Sequence, residues 1–145
     1  NYGTALESAL KMGETIHIPS CCYEIEEYIH GPNLQLTPQY NVIFFDGNDG
    51  ASRRVEQVYK ATRKVTNRAY LISNNPQLSR DGHVLSLSDT VSSELSPLVY
   101  LPFVQLLSFI VSNDLHSIYQ HPLLKEFKAI AAAKTENFVN YDGDD

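Results

Sequence analysis

Three short apolar runs limit what this chain can fold into. They are Asn41-Val-Ile-Phe-Phe, Ala69-Tyr-Leu-Ile-Ser and His83-Val-Leu-Ser-Leu. Turn residues bound them, with Asp46-Gly-Asn-Asp-Gly after the first and Arg80-Asp-Gly before the third. Runs of this kind read as buried strands. Helical patterns surround them, at residues 4–17, 52–65, 97–112 and 122–132, with a short helical turn over 23–29. Thr4 is the expected N-cap of the first helix and Glu7 the other half of a capping box. Pro97 and Pro122 stand in the first turns of the last two helices, where proline is tolerated. Strands separated by helices predict an α/β fold, a parallel sheet with helices on both faces. Three strands make a small sheet. A further strand ahead of Asn1 is expected, and the first helix would then be its crossover helix. The acidic residues 142–145 are expected to fray.

Composition narrows the function classes. The 145 residues hold enough apolar mass, 43%, for one domain with a core. Net charge is −6, and the basic residues are scattered except for Arg53, Arg54, Lys60, Arg63 and Lys64. These share one helix with Glu56 and read as a solvated face, not as a surface for nucleic acid. The apolar stretch 98–111 is interrupted by Pro102, Gln105 and Ser108 and is shorter than the ~20 residues of a bilayer span. It is expected to be a buried helix, belonging either to the core or to a subunit interface. No secretory leader precedes Tyr2, which suggests the cytoplasm. Cys21 and Cys22 are adjacent, a poor geometry for a disulfide. The five histidines show no metal-ligand spacing, so no metal is expected.

Chemistry concentrates on the first helix and the turn after it. Glu7, Lys11 and Glu14 are spaced i, i+4, i+7 and share one helical face. Two readings stay open, a ladder of surface ion pairs and an acid–base site. Sixteen residues beyond Glu14, His30 stands before Gly31 and Pro32 in Glu24-Ile-Glu-Glu-Tyr-Ile-His-Gly-Pro. Gly31 is expected to allow close backbone approach, and Glu26 and Glu27 are placed to hold the imidazole.

Ala5-Leu-Glu-Ser-Ala-Leu-Lys-Met-Gly-Glu, followed at this spacing by Glu27-Tyr-Ile-His-Gly-Pro, resembles the second sugar isomerase (SIS) domain of glucosamine-6-phosphate synthase and of the fructosamine-6-phosphate deglycases. The likeness runs on through the strands and the proline-started apolar helix to Ala133-Lys134-Thr135. It implies a flavodoxin-like three-layer sandwich forming the C-terminal half of a double-SIS protein. It also implies roles. Glu14 matches the base that moves a proton between C1 and C2 of an open-chain sugar. His30 matches the residue that opens the sugar ring, contributed by a neighbouring subunit. Lys134 matches the lysine that forms a Schiff base. Glu7, Lys11 and Ala133 match substrate-binding positions.

A carboxylate, an imine-forming lysine and a near-neutral histidine are together sufficient for aldose–ketose chemistry, with no cofactor. The chain departs from the synthase after Leu115. The inserted His121-Pro-Leu-Leu-Lys-Glu-Phe-Lys favours the deglycase branch and leaves Lys125 and Lys128 as alternatives to Lys134. The family's Ser/Thr-rich phosphate loop has no counterpart here. Ser73-Asn-Asn-Pro and Ser86-Leu-Ser-Asp-Thr read as ordinary turns. The expected function is a ketosamine 6-phosphate deglycase acting as a homodimer with a shared site. The alternatives are a synthase-like isomerase/aminotransferase and a non-catalytic SIS module that senses a sugar phosphate.

Overall fold

The computed structural model describes residues 1–87, 91–117 and 130. Helices α1 (Tyr2–Ile16) and α2 (Ile25–Ile29) come first, followed by strand β1 (Val42–Phe45), helix α3 (Ser52–Thr62), strands β2 (Ala69–Ser73) and β3 (Val84–Ser86), and helix α4 (Ser96–Leu115). The three apolar runs pair in parallel in the order β1-β2-β3. Phe44 stands opposite Leu71 and Phe45 opposite Ile72.

Strand alternation sends neighbouring side chains to opposite faces. Phe44, Ala69 and Leu71 pack under α3 with Val55, Val58 and Tyr59. Phe44 meets the rings of Tyr28 and Tyr59 edge-on, each at 6.0 Å. Phe45 faces the other way and meets Tyr100 of α4 at 6.3 Å. Each side chain of this size is worth about 1.5–3 kcal/mol when fully buried. The result is the expected three-layer α/β sandwich, with a parallel sheet and helices on both faces. Val42 N and Asp46 N donate towards β2, to Arg68 O and Ile72 O. The N–H groups of Ile43 and Phe45 therefore face the other edge of β1, where no described strand pairs.

α1 and α4 lie side by side and run the same way. Asn1 Nδ2 donates to Ser96 Oγ (2.7 Å), Ser108 Oγ lies 3.8 Å from Met12 Sδ, and Ser117 Oγ donates to Thr15 O (2.5 Å). Small buried residues line the seam, among them Thr4, Ser8, Ser96, Ser108 and Ser112. Their hydroxyls are satisfied locally, as in Ser8 Oγ to Thr4 O (2.6 Å) and Ser112 Oγ to Phe109 O (3.0 Å).

Three expectations need correction. Thr4 is not the N-cap. The helix starts at Tyr2, and Asn1 O accepts the first helical bond from Ala5 N (3.0 Å). Asparagine suits that position, and Thr4 Oγ1 bonds to Asn1 Oδ1 (3.2 Å). The capping box belongs to α2. Glu24 accepts from the N–H groups of Glu26 and Glu27, and Glu27 reaches back to Glu24 N. Finally, α4 is buried along one row only. Its inward row is Ser96, Tyr100, Val104, Ser108 and Ser112, while Leu98, Leu106 and Phe109 are 72%, 57% and 62% exposed. The hydroxyl residues go inside because only small side chains let α1 approach. α4 also outgrows the expected span. At 20 residues it is long and apolar enough to cross a bilayer by length and composition alone, although here it packs along α1 and reaches the end of β1 through Tyr100. The expected helix at 122–132 and the tail 142–145 lie outside the described residues.

Candidate functional site

The 3.6-residue period of α1 sets Glu7, Lys11 and Glu14 in a row, and the row is a connected ladder. Lys11 Nζ donates to Glu14 Oε2 at 2.9 Å and lies 3.5 Å from Glu7 Oε1. The hydrogen bond from Lys11 to Glu14, together with the charges of both acids, pushes the Lys11 ammonium above its ordinary range. The Glu14 side chain is 50% exposed. An ion pair this open adds little to stability. Lys11 engages only Oε2, which leaves Oε1 of the same carboxylate open to a ligand.

His30 caps the C-terminus of α2, where its backbone N–H donates to Glu27 O (3.1 Å). Its Nδ1 lies 2.6 Å from Glu26 O. A carbonyl can only accept, so Nδ1 carries the hydrogen and Nε2 is the acceptor of the neutral ring. The expected carboxylate partners are engaged elsewhere. Glu26 binds Arg54 through Nε–Oε1 (2.8 Å) and Nη2–Oε2 (3.2 Å), which holds its carboxyl below the usual range. Glu27 is used in the cap of α2. It is the Glu26 carbonyl, not an acidic side chain, that orients the ring. Gly31 is not a point of close approach either. Its φ of 170° is an extended value open to any residue, and a Cβ there would meet nothing within 4 Å.

Among the described residues, no hydrogen bond or ion pair joins His30 to Glu7, Lys11 or Glu14. The structure builds two separate groups, the α1 ladder and the α2 histidine. Ala133, Lys134, Lys125 and Lys128 lie outside the described residues. No group of three or more His, Cys, Asp or Glu placed to hold a metal ion occurs among the described residues. Cys21 and Cys22 are free thiols, and burial followed by the Glu27 charge pushes Cys22 up. Of the basic residues of α3 and its C-cap, three are engaged with neighbours, Arg54 with Glu26, Lys60 with Glu56 and Arg63 with Asn67 O.

Two features went unread in the sequence. A cavity of about 260 Å³ lies between the start of α1, the 23–28 segment and β1, with Tyr2, Tyr23, Tyr28 and Phe44 in its walls. Scattered aromatics carry no periodic signal, and only the fold collects them. The second is a buried polar cluster at the C-terminal ends of β1 and β2, the end at which open α/β sheets bind ligands. Ser73 Oγ donates to Asp46 Oδ2 (2.7 Å), Asn48 N to Asp46 Oδ1 (3.0 Å) and Tyr100 OH to Asp46 O (2.7 Å). Asn75 N donates to Ser73 Oγ (3.0 Å). Both side chains of the Asp46–Ser73 pair are satisfied within the cluster, which locks the two loops together.

No family model matches the sequence, and no curated protein matches it. Solved structures do. One is a candidate sugar binding protein from Salmonella typhimurium LT2, with TM-score 0.64 and 28% identity, over 75% of this chain and 33% of that one. Another is a candidate phosphosugar isomerase from Clostridium difficile 630, with TM-score 0.70 and 22% identity, over 86% of this chain and 35% of that one. The chain spans about a third of the length of either.

Proposed function

We propose that this chain is the C-terminal SIS half of a cytoplasmic phosphosugar-processing enzyme, a deglycase that splits a ketosamine 6-phosphate into glucose 6-phosphate and an amine. The observation that carries the reading is the α1 ladder, in which Lys11 orients a half-exposed Glu14 carboxylate. Glu14 takes a proton from C1 of the open-chain substrate and returns it to C2. Lys134 then displaces the amine from the resulting C1 imine, and water hydrolyses the lysine Schiff base to leave the C1 aldehyde. His30 suits ring opening, because its Nδ1–H is anchored and Nε2 is left as the basic nitrogen. Lys134 is assigned the Schiff base. Glu7, Lys11 and Ala133 are assigned to substrate binding.

The fold and its likeness to a candidate sugar binding protein support a sugar phosphate as ligand. The separation of His30 from the ladder within one chain agrees with a homodimer in which His30 serves the partner's site. The open edge of β1 and the greater length of both structural neighbours support an additional strand and an upstream SIS domain, which would carry the phosphate loop.

The test is the full-length protein with fructoselysine 6-phosphate, following glucose 6-phosphate with a coupled dehydrogenase, and with Glu14→Gln in parallel. Release that the variant abolishes supports the deglycase. Silence there, with turnover of fructose 6-phosphate and an ammonia donor, moves the assignment to a synthase-like isomerase. A second reading, a non-catalytic module that senses a sugar phosphate, is favoured by the 28% likeness to the candidate sugar binding protein. Silence with both substrates leaves that reading.

A further inference from the structure

We infer that the cleft between α2 and α3 is a second binding site, for a small neutral molecule with an apolar body and an amide-type head. The cleft measures about 320 Å³. Ile29, Leu36, Val58 and Val65 supply apolar wall, and Tyr28 and Asn33 stand among them. Tyr28 Oη and Asn33 Oδ1 are shielded from solvent and have no hydrogen-bond partner, the two exceptions among the described residues. Folded chains rarely leave such atoms unpaired, because each forfeits its hydration with nothing in return. Here the two residues that carry the unpaired atoms line the same apolar cleft. A hydroxyl that donates and an amide oxygen that accepts call for a head group carrying both an acceptor and a donor. A carboxamide does so within one planar group.

Charge and size narrow the class. Arg54 also lines the cleft, but its guanidinium is committed to Glu26, so no free cation is there to draw an anion. The volume is at the low end for ligand pockets and suits a body about the size of one aromatic ring. The site lies on the α3 face of the sheet, away from the α1–α4 seam. It still touches the His30 turn, because Tyr28 and Ile29 immediately precede His30 and Arg54 holds Glu26, whose carbonyl orients the imidazole. An occupant braces the segment that presents His30.

The experiment titrates the full-length protein with benzamide and follows backbone amides by 1H–15N NMR. Benzoate serves as the charged control of equal shape. The expected result is saturable shifts confined to α2, the turn after it and α3, with benzoate binding more weakly. Tyr28→Phe and Asn33→Leu should each weaken benzamide by about tenfold, the worth of one hydrogen bond. Both free variants should melt at or above the parent's temperature, since each removes an orphaned polar atom. No shift with millimolar benzamide, or equal binding by parent and variants, overturns the proposal. So does a lower melting temperature in both variants, which would mean that the two atoms are already satisfied by ordered water.

Discussion

Lys11 Nζ lies 2.9 Å from Glu14 Oε2, on a face where both groups reach solvent. That contact separates a catalytic Glu14 from a decorative one. Glu14→Gln removes an exposed ion pair and should leave the melting temperature nearly unchanged. Turnover of a ketosamine phosphate should fall about 10²- to 10⁴-fold, the usual contribution of a positioned general base. Unchanged turnover would reduce the ladder to surface electrostatics.

His30 offers a spectroscopic check that needs no substrate. With Nδ1 held 2.6 Å from Glu26 O, the neutral ring is the Nδ1–H tautomer. Side-chain 15N shifts at a pH where the ring is neutral should show a protonated Nδ1 and a bare Nε2. The opposite assignment would remove the basis for using Nε2 as the acid–base nitrogen.

Two buried tyrosines should titrate late. Burial, then the hydrogen bond to Asp81, pushes Tyr59 from 10 up to about 12. Burial, then the Asp46 charge, does the same for Tyr100. The folded state thus keeps protons that the unfolded chain gives up, so stability is unaffected below pH 10 and falls as pH rises from 10 towards 12. Ultraviolet phenolate absorbance should reveal the delayed pair. Tyr59→Phe and Tyr100→Phe should each delete one of its members.

Ser8 is buried in the α1–α4 seam. Ser8→Leu forces the helices apart and should cost about 1–3 kcal/mol in urea unfolding, the usual penalty of overpacking. The same substitution at exposed Ser79 should be nearly neutral.

Asp46→Ala leaves buried Ser73 Oγ without its acceptor, while water can reach Asn48 N, and should cost about 1–3 kcal/mol, the penalty of one buried group left unpaired. Asp46→Asn, which keeps an acceptor for one of them, should cost less.

The sheet was the most legible part. Val42–Phe45 and Ala69–Ser73 are apolar enough to be buried on both faces, and turn residues mark their ends. Helix positions were legible, but helix ends were less so. Asn1 and Thr4 are both good capping residues, and only the backbone path decides between them. The burial of α4 was misread because hydropathy has no direction. Its serines lie inside, where α1 comes close, and its leucines lie outside. At the candidate site, the row of Glu7, Lys11 and Glu14 followed from helical periodicity. The partner of His30 did not, because a backbone carbonyl has no letter in the sequence. The Asp46–Ser73 bond joins residues 27 apart and depends on β1 and β2 ending level, a matter of register.

β1 has a further consequence for handling the protein. Among the described residues no strand pairs with its outer rim, and no lysine, proline or bulge stands in Val42–Phe45. The N–H groups of Ile43 and Phe45 point out from that rim, ready to pair. Uncharged, β-prone strands with an unpaired side are templates for edge-to-edge growth. Handled as this chain alone, the protein should self-associate through β1 as its concentration rises, and the aggregate should carry the dye-binding signature of stacked strands. A lysine in place of Ile43 would test whether that rim is the seed.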